Sequence, residues 1–296
     1  MSDKPPTLEF GQYSFRLLRV YSAVKFAVSG IRLKEEEISS SEAVRQAFDR
    51  IRDGFRMVGK AVTPEPHPEE VESYVEREIA SFTNNFLRGH PHAQIVMNLG
   101  LVMLCTQFEV FINHLVDIIL ATEPRRFLDL FPDKEMKVRE VVQLGDYPSV
   151  MRGFREKVVG EIDRAGTRDK FVRYLGEKFK LISEREIKIV PPPEAQSDRF
   201  DGWDLGKLEA IFKQRHRIVH RGELPVADLD YLGDLHLFFT ALQTVMAVNA
   251  VRKHAIRLDN PTSAVLVSAY GKLFGVDAHC LDQFQERVRA MFPKQA

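Results

Sequence analysis

The sequence has little cysteine and no net charge, and each shortage narrows what the protein can be. Its two cysteines, Cys105 and Cys280, lie far apart and form no CxxC pair. This argues against a zinc ribbon and against a disulfide framework, and it fits a reducing compartment. Basic and acidic residues both number 42, so the formal net charge is zero. No overall field attracts a polyanion, and any such contact must use a local basic patch.

Familiar targeting and catalytic signals are also missing. Arg16, Arg19 and Lys25 interrupt the first apolar segment, unlike the uninterrupted core of a signal peptide. We expect no segment with the length and uncharged character that a bilayer span needs. There is no Gly-rich phosphate loop, GxSxG elbow, paired-carboxylate acid motif or internal repeat. We therefore expect a soluble, cytoplasmic protein with no membrane association.

Apolar residues recur at steps of three and four, which predicts an all-α protein. The predicted helices cover roughly 10–28, 42–58 (opened by Ser39–Glu42), 69–88, 93–121, 136–144, 150–162, 169–182, 208–221, 230–258, 264–274 and 278–292, with a short one near 127–128. A strand is the alternative for 10–28, because Tyr13, Phe15 and Val20 also favour strands. Proline-rich breaks separate them at 63–68 and 191–200. We predict an N-terminal helical region over 1–90, a helical bundle over 91–260, and C-terminal helices over 261–296 that pack on the bundle.

The most apolar predicted helix, over residues 93–121, contains one carboxylate among aromatic residues. Glu109 follows Phe108 and lies two residues before Phe111. It either faces solvent or, if buried, must be paired, because an unpaired buried charge is costly. Arg215 is the expected partner. The basic residues of 169–185, Lys170 among them, are expected to form a solvated face, with the extension of an RNA-binding track as the alternative.

The densest basic stretch without acidic residues begins after Leu208, Ile211 and Phe212, which have helical spacing. It contains Lys213, Arg215, His216, Arg217, His220 and Arg221, and it ends at Gly222. Cations at a helix C-terminus also offset exposed carbonyl groups, so a purely structural role is an alternative. A second alternative is a metal site, because two histidines four residues apart share a helix face. The lack of a near third ligand other than Glu223 disfavours it.

Arg215, polar His216, three further residues and then His220 resemble the signature of the HEPN superfamily. The resemblance covers this motif and its flanks well and the rest of the chain loosely. It implies a HEPN-like helical bundle and a metal-independent endoribonuclease that needs no cofactor. It also implies that the arginine and the histidine of the motif form the active site, and that two chains pair so that their motifs share one cleft.

The residue types suit this chemistry. RNA carries its own nucleophile, the 2′-hydroxyl group, and histidine transfers protons near neutral pH. His220 is then the base or acid, Arg215 clamps the transition state through its planar fork, and His216 positions the substrate. Five residues turn an ideal helix by about 140°, so Arg215 and His220 cannot share one face of a straight helix. His220 must therefore lie at the helix end, beside Gly222, for its ring to turn towards Arg215. The expected phosphate-binding residues are Lys213, Arg217 and Arg221, and Glu109 is expected to support Arg215.

The resemblance also suggests a biological role and leaves one rival function open. Stand-alone HEPN ribonucleases often act as toxins or anti-phage effectors, which implies RNA, a second copy of the chain and an antitoxin or regulatory protein as partners. The rival is a non-catalytic HEPN-like module. In that case the basic motif only holds RNA, a nucleotide or a partner protein.

Overall fold

The structure, a computed structural model, describes residues 6–40, 46, 91–123, 130–131, 135–188 and 203–293. These residues confirm the all-α prediction, apart from two strands of two residues each. In chain order the elements are β1 (Thr7–Leu8), α1 (Phe10–Ser40), α2 (Pro91–Thr122), α3 (Val138–Leu144), α4 (Tyr147–Arg164), α5 (Asp169–Lys178), α6 (Glu184–Ile187), α7 (Leu205–Arg221), α8 (Leu229–His254), β2 (Arg257–Leu258), α9 (Pro261–Leu273) and α10 (Ala278–Met291).

The chain forms two compact units. The first comprises residues 1–21, 101–223 and 230–296, and the second comprises 22–100 and 224–229. In the second unit, the side chain of Asn98 accepts a hydrogen bond from the amide of Val226 and donates one to its carbonyl, at 3.0 and 2.8 Å. Gln94 donates to the carbonyl of Leu224 at 2.7 Å. These bonds hold the segment after α7 on the first turns of α2. The predicted division at residues 90 and 260 stays a prediction.

Aromatic side chains form the core of the first unit. The rings of Phe108 on α2 and Phe239 on α8 stack with centroids 4.3 Å apart, and Phe171 on α5 stacks on Phe108 at 6.1 Å. Trp203, just before α7, stacks on Phe238 at 4.6 Å. The core therefore fixes α2, α5 and α8 against one another, as expected from their apolar stripes.

Local signals in the sequence explain both ends of α7. Asp204 caps the first turn by accepting a hydrogen bond from the Lys207 amide at 2.8 Å. Gly222 ends the helix in the left-handed conformation, with φ of 65°, and its amide donates to the carbonyls of Arg217 and Ile218. This is the usual glycine termination of a helix. The predicted end of the motif helix is confirmed, and His220 lies in its last turn.

Three predicted helix boundaries were wrong. The first helix does not stop near Val28, and Ser39 and Ser40 belong to its last turn rather than capping a second helix. The helix predicted over 169–182 ends at Lys178 and is a π-helix. The long helix after the motif ends at His254 rather than Leu258, because Arg257 and Leu258 pair in parallel with Thr7 and Leu8. The predictions for 42–90, 127–128 and 191–200 lie outside the described residues, except Gln46, which is helical.

By length and composition alone, two described helices could cross a membrane. They are His92–Thr122 and Leu229–His254, whose most apolar windows are 50% and 83% buried inside the protein. The expectation that no segment would have this character was wrong. Two such helices are weak grounds for a membrane location, since a buried core helix has the same length and composition.

Candidate functional site

One face of α7 carries most of the predicted site residues. Lys213, His216, Arg217, His220 and Arg221 are all exposed, while Leu208, Ile211 and Ile218 are buried on the opposite side. The five exposed residues recur at steps of three and four, which places them on one side of the helix. The helix therefore presents two imidazoles and three cations to solvent.

Arg215 points away from this face, towards the core. Its guanidinium donates to a carboxylate oxygen of Glu109 at 2.5 Å. The Glu109 side chain is 14% exposed and that of Arg215 is 31% exposed. The predicted pairing of these two residues is confirmed, so Glu109 does not simply face solvent. Arg215 is consequently held in one orientation, which a free arginine at the surface would not be.

Lys170 is a third member of this charged cluster, and the prediction of a solvated Lys170 was wrong. Its ammonium group lies 3.3 Å from the other oxygen of Glu109, and its side chain is only 5% exposed. It also lies 6.0 Å above the ring centroid of Phe212. The sequence held a signal for this position, since Lys170 precedes the inward-facing Tyr174 by four residues and so shares its helix face. One carboxylate thus holds two cations.

His216 and His220 are brought together. Their ring centroids are 4.4 Å apart at an interplanar angle of 43°. Glu223, which would be the nearest third ligand of a metal site, instead pairs with Arg217 and Arg221. Among the described residues no group of three or more histidine, cysteine, aspartate or glutamate side chains could hold a metal ion. The two imidazoles therefore lie side by side on the exposed face.

The structure does not join Arg215 to His220. No hydrogen bond, ion pair or ring contact links the two side chains within the described residues. Arg215 faces Glu109, and His220 lies on the exposed face about 140° around the helix. The motif therefore supplies its guanidinium and its imidazoles on different sides of α7.

A cleft lies beside the exposed face, between α7 and the residues that lead into α5. Its volume is about 740 Å³, and its walls include Phe212, Lys213, His216 and Arg217. Arg221 also lines it, so all three predicted phosphate-binding residues contribute, whereas Arg215 and His220 do not. Lys213 forms no ion pair with any described residue. It is the cation of the cleft that is most available to a ligand.

Buried titratable groups near Arg215 and α7 are kept neutral. Burial raises the pKa of the Cys105 thiol, which precedes Glu109 by one helical turn. Burial also raises the pKa of Tyr231, whose hydroxyl donates to Gln214 of α7 at 2.8 Å. Both groups remain protonated at neutral pH, and the Tyr231 hydroxyl links α8 to α7.

Comparison of the chain with models of known families, with curated proteins and with solved structures finds no match.

Proposed function

We propose that the protein is a metal-independent endoribonuclease of the HEPN type. The observation that carries the proposal is the placement of the motif. His216 and His220 stand side by side on an exposed, cationic face at the end of a helix. The arginine of the same motif is oriented by a carboxylate. Transesterification of RNA needs proton-transfer groups and positive charge, and the histidines and the oriented arginine would supply these from two sides of α7.

In the proposed reaction a base removes the proton of the 2′-hydroxyl group as its oxygen attacks the adjacent phosphorus. The bond from phosphorus to the 5′-oxygen breaks, and an acid protonates that leaving oxygen. The products are a 2′,3′-cyclic phosphate and a free 5′-hydroxyl group. His220 acts as base or acid, His216 holds the substrate, and Arg215 stabilises the negative charge of the transition state. No step needs a metal ion or a cofactor.

The opposed directions of Arg215 and His220 support a composite site. A single chain presents its imidazoles on the exposed face and its guanidinium on the side of Glu109. In-line displacement requires a base and an acid on opposite sides of the phosphorus. A two-fold axis beside α7 would bring a second motif to the same phosphate, and isologous dimers are the commonest assemblies of soluble proteins.

The test is incubation of the purified chain with RNA in EDTA. We expect cleavage that leaves 2′,3′-cyclic phosphate ends. His220→Ala should remove it, because the variant lacks a proton-transfer group that typically contributes 10²–10⁴-fold. Arg215→Lys keeps the charge but loses the fork, so it should also be strongly impaired. His279→Ala, an exposed histidine on α10, is the matched control and should cleave normally.

Strict dependence on added Mg²⁺ or Zn²⁺, or full activity of His220→Ala, would reject this mechanism. RNA binding without cleavage would instead support the rival, non-catalytic module.

We further propose that the ribonuclease acts as a toxin or anti-phage effector under the control of an antitoxin or regulatory protein. Expression of the wild-type protein should then slow growth, whereas expression of the His220→Ala variant should not. Normal growth with protein that cleaves RNA in vitro would argue against this role.

A further inference from the structure

The cleft beside α7 has the dimensions and the lining of a site for a small aromatic ligand. Its volume of about 740 Å³ falls in the range of ligand-binding pockets. Phe212, part of the wall, packs against Phe239 with ring centroids 6.5 Å apart and is held from another side by Lys170. Phe212 is half-buried and lines the cleft, so the part of its ring that stays exposed offers a surface for a stacked base.

Three of the four lysine and arginine side chains that line the cleft lie on α7, beside His216. Lys213, Arg217 and Arg221 all line it. Lys213 forms no ion pair with a carboxylate of the described residues. A phosphate group bound here would lie next to the proposed proton-transfer residues. The sugar-phosphate part of a nucleotide therefore fits this part of the wall, and its base would extend towards Phe212.

Glu209 adds a polar group that lacks a hydrogen-bond donor. Its Oε1 is buried and accepts no hydrogen bond, while the side chain as a whole is 25% exposed and so can be reached from the cleft. The closest cation is the guanidinium of Arg168, at 3.8 Å, which is too far for a hydrogen bond. Glu209 and Arg168 both line the cleft. A buried carboxylate oxygen without a donor is unfavourable, so a ligand that brings an N–H group is favoured.

Guanine is the base that best satisfies this carboxylate. Its Watson–Crick edge presents two adjacent donors, N1–H and the N2 amino group, and a carboxylate can accept both at once. Adenine and cytosine each present one amino group beside an acceptor, and uracil presents one imino group between two acceptors. Base edges of unpaired RNA are commonly recognised in this way, together with stacking on an aromatic ring.

We propose that this cleft is a nucleobase subsite with a preference for guanine, in which Glu209 is the specificity-determining residue. Phe212 provides the stacking surface, and Lys213 with Arg217 binds the phosphate of the same nucleotide. The placement of this subsite next to a scissile phosphate rests on the proposed ribonuclease function. The binding of guanine nucleotides does not, because it needs only the cleft itself.

The experiment measures binding of 3′-GMP, 3′-AMP, 3′-CMP and 3′-UMP to the full chain by isothermal titration calorimetry. None of these probes contains a bond that the proposed reaction breaks. We expect wild-type protein to bind 3′-GMP about tenfold more tightly than the other three, since a lost paired hydrogen bond to a charged group weakens binding by about this factor. Glu209→Gln should reduce the preference to less than threefold. Glu286→Gln, an exposed glutamate on α10, should leave it unchanged.

Equal binding of the four nucleotides, or no binding of any, would overturn the subsite, and so would an unchanged preference in Glu209→Gln. The wild-type comparison keeps the proposal testable if that variant does not fold. A preference for 3′-GMP without RNA cleavage would leave the subsite standing and reject the ribonuclease. RNA cleavage with no preference for guanine, either in binding or in the position of the cut, would support the ribonuclease and reject the subsite.

Discussion

Among the residues that the structure describes, Lys170 is the one lysine that is buried. Its ammonium group is buried beside Glu109, and Glu109 is shared with Arg215. A buried charge pair is weak evidence of net stabilisation, but removing one partner is costly because the other charge stays buried. The cluster therefore orients Arg215 more than it strengthens the fold.

We predict that Lys170→Met lowers the free energy of unfolding by about 2 kcal/mol, less than the full cost of breaking a buried pair because Glu109 keeps Arg215. Urea denaturation measures the change. Lys272→Met, an exposed lysine on α9, is the control and should change the stability by less than about 0.5 kcal/mol.

A double-mutant cycle separates a charge effect from a packing effect at Lys170. If the lost charge is the cause, Glu109→Gln should offset part of the destabilisation of Lys170→Met, with a coupling energy of about 1 kcal/mol or more. Simple additivity of the two changes would show that Lys170 acts only through its aliphatic stem.

His236 predicts how the stability depends on pH. Its ring stacks on Tyr21 with centroids 5.5 Å apart, and burial lowers its pKa to about 4. The unfolded chain, with a histidine pKa near 6.5, binds the proton more tightly than the folded chain. Stability is therefore full above pH 6.5 and is lost as the pH falls towards 4.

The lost contribution is about 3 kcal/mol, from a pKa difference of roughly two units. His236→Phe keeps a ring for stacking and removes the titration. Urea midpoints measured from pH 7 to pH 4 should fall more steeply for wild-type protein than for this variant. Parallel curves would show that His236 is not the responsible group.

The residues also show how far the sequence could predict the site. The pairing of Glu109 with Arg215 followed from the cost of an unpaired buried charge, and the position of His220 followed from the turn angle of a helix. The burial of Lys170 was missed because a basic run was assigned to solvent, although Lys170 shares a face with Tyr174. Glu209 was missed because no spacing rule shows which carboxylate oxygen lacks a donor.

At the scale of elements, sequence signals predicted helices better than they predicted helix ends. Proline and asparagine marked the starts of α2 and α9, and Gly222 marked the end of α7. The end of α8 depends on β2 pairing with β1, a contact with the other end of the chain that no local pattern contains. The extension of α1 beyond Val28 passes through Gly30, which a helix tolerates at a modest cost.

The end of α7 is itself testable through Gly222. A side chain at this position must adopt φ of 65°, which costs an L-residue about 1 kcal/mol. Gly222→Ala should therefore destabilise the protein by about that amount and, by disturbing the last turn, reduce RNA cleavage through His220. Gly30→Ala has free space around the new methyl group and should instead stabilise the protein by about 0.5–1 kcal/mol. Thermal unfolding and a cleavage assay on both variants provide the comparison.

At the scale of the whole molecule, neutrality conceals a strong local charge. The formal net charge is zero, yet one face of α7 presents Lys213, Arg217 and Arg221 together. Glu223, which pairs with both arginines, offsets only part of their charge. Two such faces across a two-fold axis would repel each other, so apolar contacts have to offset the repulsion. Helix α8 contributes little to such apolar contacts between chains, because 17 of its 26 residues are already buried within the protein. Val219, 55% exposed between His216 and His220 in the same two turns, is the apolar side chain of α7 best placed to do so.

Mixing two inactive chains tests the composite dimer directly. An Arg215→Ala chain and a His220→Ala chain, mixed in equal amounts and allowed to exchange, form heterodimers in about half of the population. If each site takes its arginine from one chain and its histidine from the other, every heterodimer contains one intact site. Activity should then recover to about a quarter of the wild-type rate. If both residues act within one chain, every site in the mixture lacks one of them and no activity returns. A wild-type chain that is monomeric by light scattering and still cleaves RNA at the full rate would exclude the dimer altogether.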